Sequence, residues 1–134
     1  MAQLNEQIKT ADWKSEKHVP VIESPDTVAK GEVFQVTTTL GKEVAHPNTT
    51  EHHIRWFSLY YQEEGGKFAR QVAHVEFSAH GEDAKGADEG PVYTHHEAVT
   101  NLKVTQSGTL YAMSYCNIHG LWANSLELRM CGSP

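Results

Sequence analysis

The chain has 134 residues, 39% of them hydrophobic, with a net charge of −6 and a pI near 5.8. That length suffices for one domain with a buried core, expected to span residues 1–134. The acidic balance argues against nucleic acid or an anionic membrane as partner, since both demand clustered Lys and Arg. No apolar run approaches the length needed to cross a bilayer. The opening MAQLNEQIKTADWK is polar and lacks the apolar segment of a secretory signal, so a cytoplasmic protein is expected.

In chain order, the first strand is expected at 19–23 (VPVIE). The next is 32–40 (EVFQVTTTL), where Phe34, Val36 and Thr38 share one face in period two. Residues 54–62 (IRWFSLYYQ) are rich in aromatic and aliphatic side chains, as in a strand buried on both faces or lying at an interface. The turn Glu63-Glu64-Gly65-Gly66-Lys67 joins it to 68–79 in a hairpin. Residues 80–96 form one long irregular surface loop, rich in Gly and acids. It ends in His95-His96, read as exposed polar residues because adjacent side chains of an extended segment point to opposite faces. Runs at 97–106, 109–115 and 122–130 follow, the first two divided by Ser107-Gly108. No segment has convincing helical periodicity. The pattern predicts an all-β protein, a seven-stranded immunoglobulin-like β-sandwich or barrel. Its Trp and Cys positions do not match an antibody domain.

Cys116 and Cys131 could form one disulfide, but a chain without an export signal is expected in a reducing compartment that disfavours it. Cys116 lies three residues before His119 and reads as a thiolate ligand; Cys131, in a polar tail without a neighbouring histidine, reads as a bystander. Two other clusters carry metal-ligand chemistry. In Glu16-Lys17-His18, alternation along an extended chain would put Glu16 and His18 on one side and leave Lys17 at the rim. In HPNTTEHHI (46–54), His46 and His52 stand six residues apart across a Pro-Asn turn, with His53 competing for the second place. Only one of His52 and His53 can face the loop side. In Cys116-Asn117-Ile118-His119, a C-x-x-H turn at a strand end can close on one ion, with Gly120 permitting a tight backbone.

The candidate set is His18, His46, His52, His119, Cys116 and, optionally, Glu16. That exceeds the four ligands of structural zinc. It also differs from blue copper, since Met130 lies too far beyond His119 for the usual copper loop. Four nitrogens in a plane with an axial thiolate leave a sixth position open, a geometry that suits iron.

The blocks Glu16–Pro20 (EKHVP), His46–Ile54 (HPNTTEHHI) and Ser114–Trp122 (SYCNIHGLW) agree in order, spacing and content with one family, and VEFSAHGE at 75–82 extends the match. In these blocks the chain resembles the one-iron superoxide reductases of the neelaredoxin type, within the desulfoferrodoxin iron-domain family. The resemblance implies an immunoglobulin-like fold and a mononuclear Fe2+/Fe3+ centre that reduces superoxide to hydrogen peroxide. Equatorial ligands would be His18, His46, His52 and His119, in preference to His53, and the axial ligand Cys116. Glu16 would bind the ferric form. Lys17 would draw superoxide electrostatically, a rubredoxin-type protein would return the electron, and the assembly would be a homotetramer. No cysteine precedes residue 116, so the Cys-rich rubredoxin-like domain of two-iron relatives has no counterpart here.

Overall fold

A computed structural model describes residues 2–131. Their strands are β1 (Val21–Glu23), β2 (Thr27–Val28), β3 (Phe34–Thr39), β4 (Ile54–Glu63), β5 (Arg70–Glu76), β6 (Glu97–Leu102), β7 (Gly108–Cys116) and β8 (Gly120–Met130). They form two sheets, one in the order β1-β3-β6 and one in the order β2-β8-β7-β4-β5. Every run read as a strand from the sequence is one. The addition is β2, a two-residue strand that pairs in parallel with the end of β8. So short a segment has no period to read.

The core follows from parity. On β3, Phe34, Val36 and Thr38 are buried as the alternation requires. On β4, Phe57 and Leu59 are fully enclosed and Tyr61 nearly so, and on β7 Leu110, Ala112, Ser114 and Cys116 continue the same inner face. Phe57 meets Phe77 edge to face, with ring centroids 5.1 Å apart. The other face of β4 is only part-covered: Trp56 and Tyr60 are half-buried, and Ser58 is shielded by bonds to Tyr60 and Gln71. The expectation of burial on both faces therefore holds for one face of β4.

Two pairings place the metal-ligand chemistry. Cys116, the last residue of β7, is opposite Ile54 at the start of β4 and Gly120 at the start of β8. A register shift between Ile54 and Trp56 marks a bulge where β4 leaves its preceding loop. Gly120 has φ +84, the left-handed conformation that lets the chain turn back within three residues of Cys116. The loop before β1, the β3–β4 loop and the β7–β8 turn thus meet at one end of the sandwich.

Candidate metal centre

One ring nitrogen each from His18, His52 and His119 and the Cys116 sulfur all lie within 4.8 Å of one another. His18 Nε2 is 3.0 Å from His119 Nδ1, which is 3.2 Å from His52 Nε2. The sulfur lies 3.2 Å from His52 Nε2 and 3.8 Å from His119 Nδ1. Lone-pair donors converge in this way where a cation can sit between them. Cys116 is fully buried and His119 exposed, so the cluster runs from the core to the surface.

His46 completes the group from the β3–β4 loop. Its ring packs edge-on against His18 at 5.0 Å and His52 at 4.9 Å between centroids. Its Nδ1–H donates to the Pro47 carbonyl at 2.6 Å, which leaves Nε2 with the lone pair. That Nε2 is buried and has no hydrogen-bond partner. A buried acceptor without a donor is rare in a folded protein, and a metal ion is one group that satisfies it.

Burial disfavours the charged form of His46, His18 and His52, and ligation requires the neutral ring. It depresses His46 to about 3, helped by the neighbouring His18 and His52. It also lowers His18, against the opposing pull of Glu16, and lowers His52, where His119, His18 and the Lys17 ammonium add to the effect.

Glu16 is placed differently from the expectation. Residues around it form turns rather than an extended segment, and the Glu16 carboxylate folds onto its own neighbour. It accepts the His18 backbone N–H at 2.9 Å and bonds His18 Nδ1 at 2.5 Å. Glu16 is thus outside the convergent donor group and instead orients one of its members, as carboxylates behind ligating histidines do. Burial opposes ionisation of Glu16, but the bonds and charge of His18 outweigh it and hold the carboxyl below its usual range.

His52, rather than His53, faces the cluster. His53 turns to the opposite side, donates from Nδ1 to the Thr49 carbonyl and stacks on His80. The pair His95-His96 requires a correction: His95 is exposed, but His96 is buried and lies edge-on to His46 at 5.9 Å. Sequence reasoning missed two supports. Asn117 accepts the His53 N–H and donates to the Glu51 carbonyl, tying the C-x-x-H turn to the β3–β4 loop. Trp122 stacks on His18 at 5.0 Å and donates to the His119 carbonyl at 3.1 Å. Within the same turn, the His119 N–H approaches the Cys116 sulfur at 3.4 Å. A signal existed for Asn117 and Trp122, inside and three residues beyond the C-x-x-H turn. His96 carried none.

The family model described as desulfoferrodoxin matches residues 10–125. The chain belongs to the desulfoferrodoxin family. It is 60% identical to neelaredoxin of Megalodesulfovibrio gigas over 117 residues, covering 87% of this chain and 90% of that protein. It is 52% identical to superoxide reductase of Pyrococcus furiosus over 125 residues, covering 93% and 98%. The fold agrees with a crystal structure from Thermotoga maritima at TM-score 0.95 and 49% identity, covering 97% and 98% of the two chains. It agrees with superoxide reductase (neelaredoxin) of Archaeoglobus fulgidus in the reduced form at TM-score 0.85 and 51% identity, covering 92% and 98%. As in this family, the donors fit a single iron ion: three convergent imidazoles, a fourth with an orphaned nitrogen, and a buried thiolate.

The metal-free protein should lose stability in mild acid. His46 and His96 are held neutral in the fold at about 3 and about 4, both by burial, against about 6.5 when unfolded. Above pH 6.5 neither state is protonated and their contribution is complete. Between 6.5 and 4 the unfolded chain takes up protons that the fold refuses, so stability falls with pH. The expected loss from pH 7 to pH 5 is about 1–2 kcal/mol per histidine, read from urea midpoints of metal-free protein. His96→Asn should flatten part of that slope; an unchanged slope would show that His96 is not held neutral.

Proposed function

We propose that this protein reduces superoxide to hydrogen peroxide at one iron ion held by His18, His46, His52, His119 and Cys116, acting as a single domain. The observation that carries the reading is the convergence of three imidazole nitrogens and a thiolate within 4.8 Å, beside the partnerless Nε2 of His46. Relatives bearing the name superoxide reductase, at 45–52% identity, support it.

When bound, the iron supplies the single electron that superoxide takes up on its way to peroxide. The chain's own residues do the rest. Four neutral imidazoles and one thiolate add a single negative charge to the site, so a ferrous ion there keeps net positive charge. Lys17 adds a second positive charge close enough to depress both His18 and His52. An anion is drawn to this end although the whole chain carries −6, because local field outweighs net charge within a Debye length. The His119 N–H at the Cys116 sulfur tempers the electron donation of the thiolate. Glu16 holds the His18 ring in place and would be the nearest carboxylate available as a further ligand to a ferric ion held here. Its carboxylate is part-exposed and bonded only to its neighbour His18, which leaves it free to move.

Three finer parts belong to the same proposal. A rubredoxin-type protein returns the electron, with the exposed Ile118 and His119 offering contact beside the cluster. Four copies assemble through the outer face of the β4–β7 sheet, where Trp56 pairs with Tyr115 and Tyr60 with Tyr111. The location is cytoplasmic, in keeping with two free thiols. No helix among the described residues is long and apolar enough to cross a membrane.

Cys116→Ser should abolish the thiolate-to-iron absorption band of the oxidised protein and most of its activity, whereas Cys131→Ser should keep both. The reverse result in visible spectra would overturn the Cys116 assignment. Lys17→Ala should slow the second-order reaction with superoxide and flatten its dependence on ionic strength while iron content stays constant. An unchanged rate at low salt would make Lys17 an ordinary solvated lysine. Reduced protein should consume about one superoxide per iron, since each ferrous ion supplies one electron, and then stop until a reduced donor is added. Continued consumption with oxygen evolved and no donor present would point to a dismutase instead.

A further inference from the structure

We propose that the loop of residues 80–94 is a clamp that holds the β3–β4 loop in its metal-binding shape before metal arrives, with Asp88 as its positioning residue. The inference rests on the reading of His46 and His52 as ligands. Those two histidines stand in a segment without strand pairing, 40–53, whose ordering would otherwise be paid for at each binding event.

The bonds between the two loops run both ways. The Thr50 N–H donates to Asp88 Oδ1 at 3.0 Å, and the Asp88 N–H donates to Thr50 Oγ1 at 3.0 Å. Thr50 Oγ1–H donates in turn to the His80 carbonyl at 2.6 Å, so one hydroxyl bridges two points of the clamp. A second tie runs from the Asn48 amide to the Thr94 carbonyl at 3.0 Å. A third is the parallel stack of His53 on His80, with centroids 3.4 Å apart and planes 8° apart. Tie points therefore lie between His46 and His52, at Asn48 and Thr50, and just beyond them at His53. The stack also bears on the choice between His52 and His53. With His53 held against His80, the Cys116 side is left to His52, whose Nε2 lies 3.2 Å from the sulfur.

The clamp is itself braced. Tyr93 O–H donates to Asp88 Oδ1 at 2.9 Å, and backbone bonds between Gly81 and Val92 and between Ala79 and Thr94 close the loop's base. Gly81 has φ +78, and a Cβ there would come within 2.4 Å of the Tyr93 hydroxyl, so this corner leaves no room for a side chain. Asp88 has φ +59, the one non-glycine in the left-handed region among the described residues. A strained backbone persists where its surroundings over-determine it. Here the reciprocal bonds to Thr50 supply that determination, and the strained residue meets the turn that carries His52. Nothing in the proposed reaction needs the Asp88 carboxylate near the metal, so its role is positional.

The test compares whole-chain protein, metal-free and iron-loaded, in Asp88→Ala, Asp88→Asn, Asp88→Gly and Tyr93→Phe. Readouts are amide hydrogen exchange at Thr50–His53 in the metal-free form and the rate of iron loss to a chelator in the loaded form. Asp88→Ala should speed exchange and raise iron loss about tenfold, the scale on which residues behind metal ligands act. Asp88→Asn keeps an acceptor oxygen and tolerates positive φ, so it should behave as wild type. Asp88→Gly loses the acceptor without the strain and should fall between. If Asp88→Ala fails to fold, Tyr93→Phe should show a smaller change in the same direction. Iron loss at the wild-type rate in Asp88→Ala, or equal losses in the Ala and Asn variants, would overturn the proposal. So would faster exchange with unchanged iron loss, since the clamp would then be structural only. His52→Ala serves as the reference: if it retains iron as wild type does, the ligand reading fails, while exchange in the metal-free protein still decides whether the clamp exists.

Discussion

The site depends on where β7 ends. Parity along that strand puts Leu110, Ala112 and Ser114 in the core and leaves Cys116 as the last inward residue, fully buried at the rim of the sandwich. Its partners across the two neighbouring strands are Ile54 and Gly120, so the chain entering β4 and the chain entering β8 must both pass the sulfur. His52 precedes the first of these partners by two residues and His119 precedes the second by one. A slip of one residue in β7 would turn Cys116 outward and dissolve the group. Ser114 extends the arrangement by donating to the His18 carbonyl at 3.1 Å, which ties the third loop to the same strand.

Charge and burial act together at this end. Each buried imidazole resists protonation, so the cluster collects lone pairs rather than positive charge. The cost is a set of polar atoms withdrawn from water, of which His46 Nε2 is the extreme case. A fold that accepts such a cost at a cluster of soft donors has a site whose stability and occupancy are coupled, because a metal that binds only the folded form stabilises it. The chain as a whole is acidic, yet the Lys17 ammonium is among the charges that lower His52. Net charge therefore predicts little about which ions this end attracts.

Behind the donors lies a ring of residues that position them. Glu16 orients His18, Pro47 sets the tautomer of His46, Asn117 ties the C-x-x-H turn to the β3–β4 loop, and Trp122 lies against His18 while holding His119 from its carbonyl. The 80–94 loop adds the bonds through Thr50 and Asn48. Donors on three flexible segments would lose precision without such supports, since a ligand atom must stand within a fraction of an ångström of its place. The rigidity of the sandwich reaches the loops through these bonds.

Much of this was legible in the sequence. Period-two burial in Phe34–Thr39 and the turn at Glu63–Lys67 announce the strands, and short C-x-x-H and H-x5-H spacings announce the donors, because both patterns are local. The choice between His52 and His53 also had a local root in strand alternation, which allows only one of them to face Cys116; the family resemblance named His52, and the folded loop turns it to the sulfur. Other features had no local signature. β2 is too short to show a period, and it exists because the end of β8 offers an edge. Glu16 turns back onto His18 because the chain there forms turns, where an extended segment would set both side chains on one side, facing a common ion. His96 is buried because the loop before β6 packs it against His46, fifty residues away in the chain, a proximity no spacing encodes. Residue types and short spacings determined which atoms could bind metal, since those are properties of neighbours in sequence. Only the tertiary structure decided which of them meet and what supports them, since that depends on strand registers that bring distant loops to one end of the sandwich.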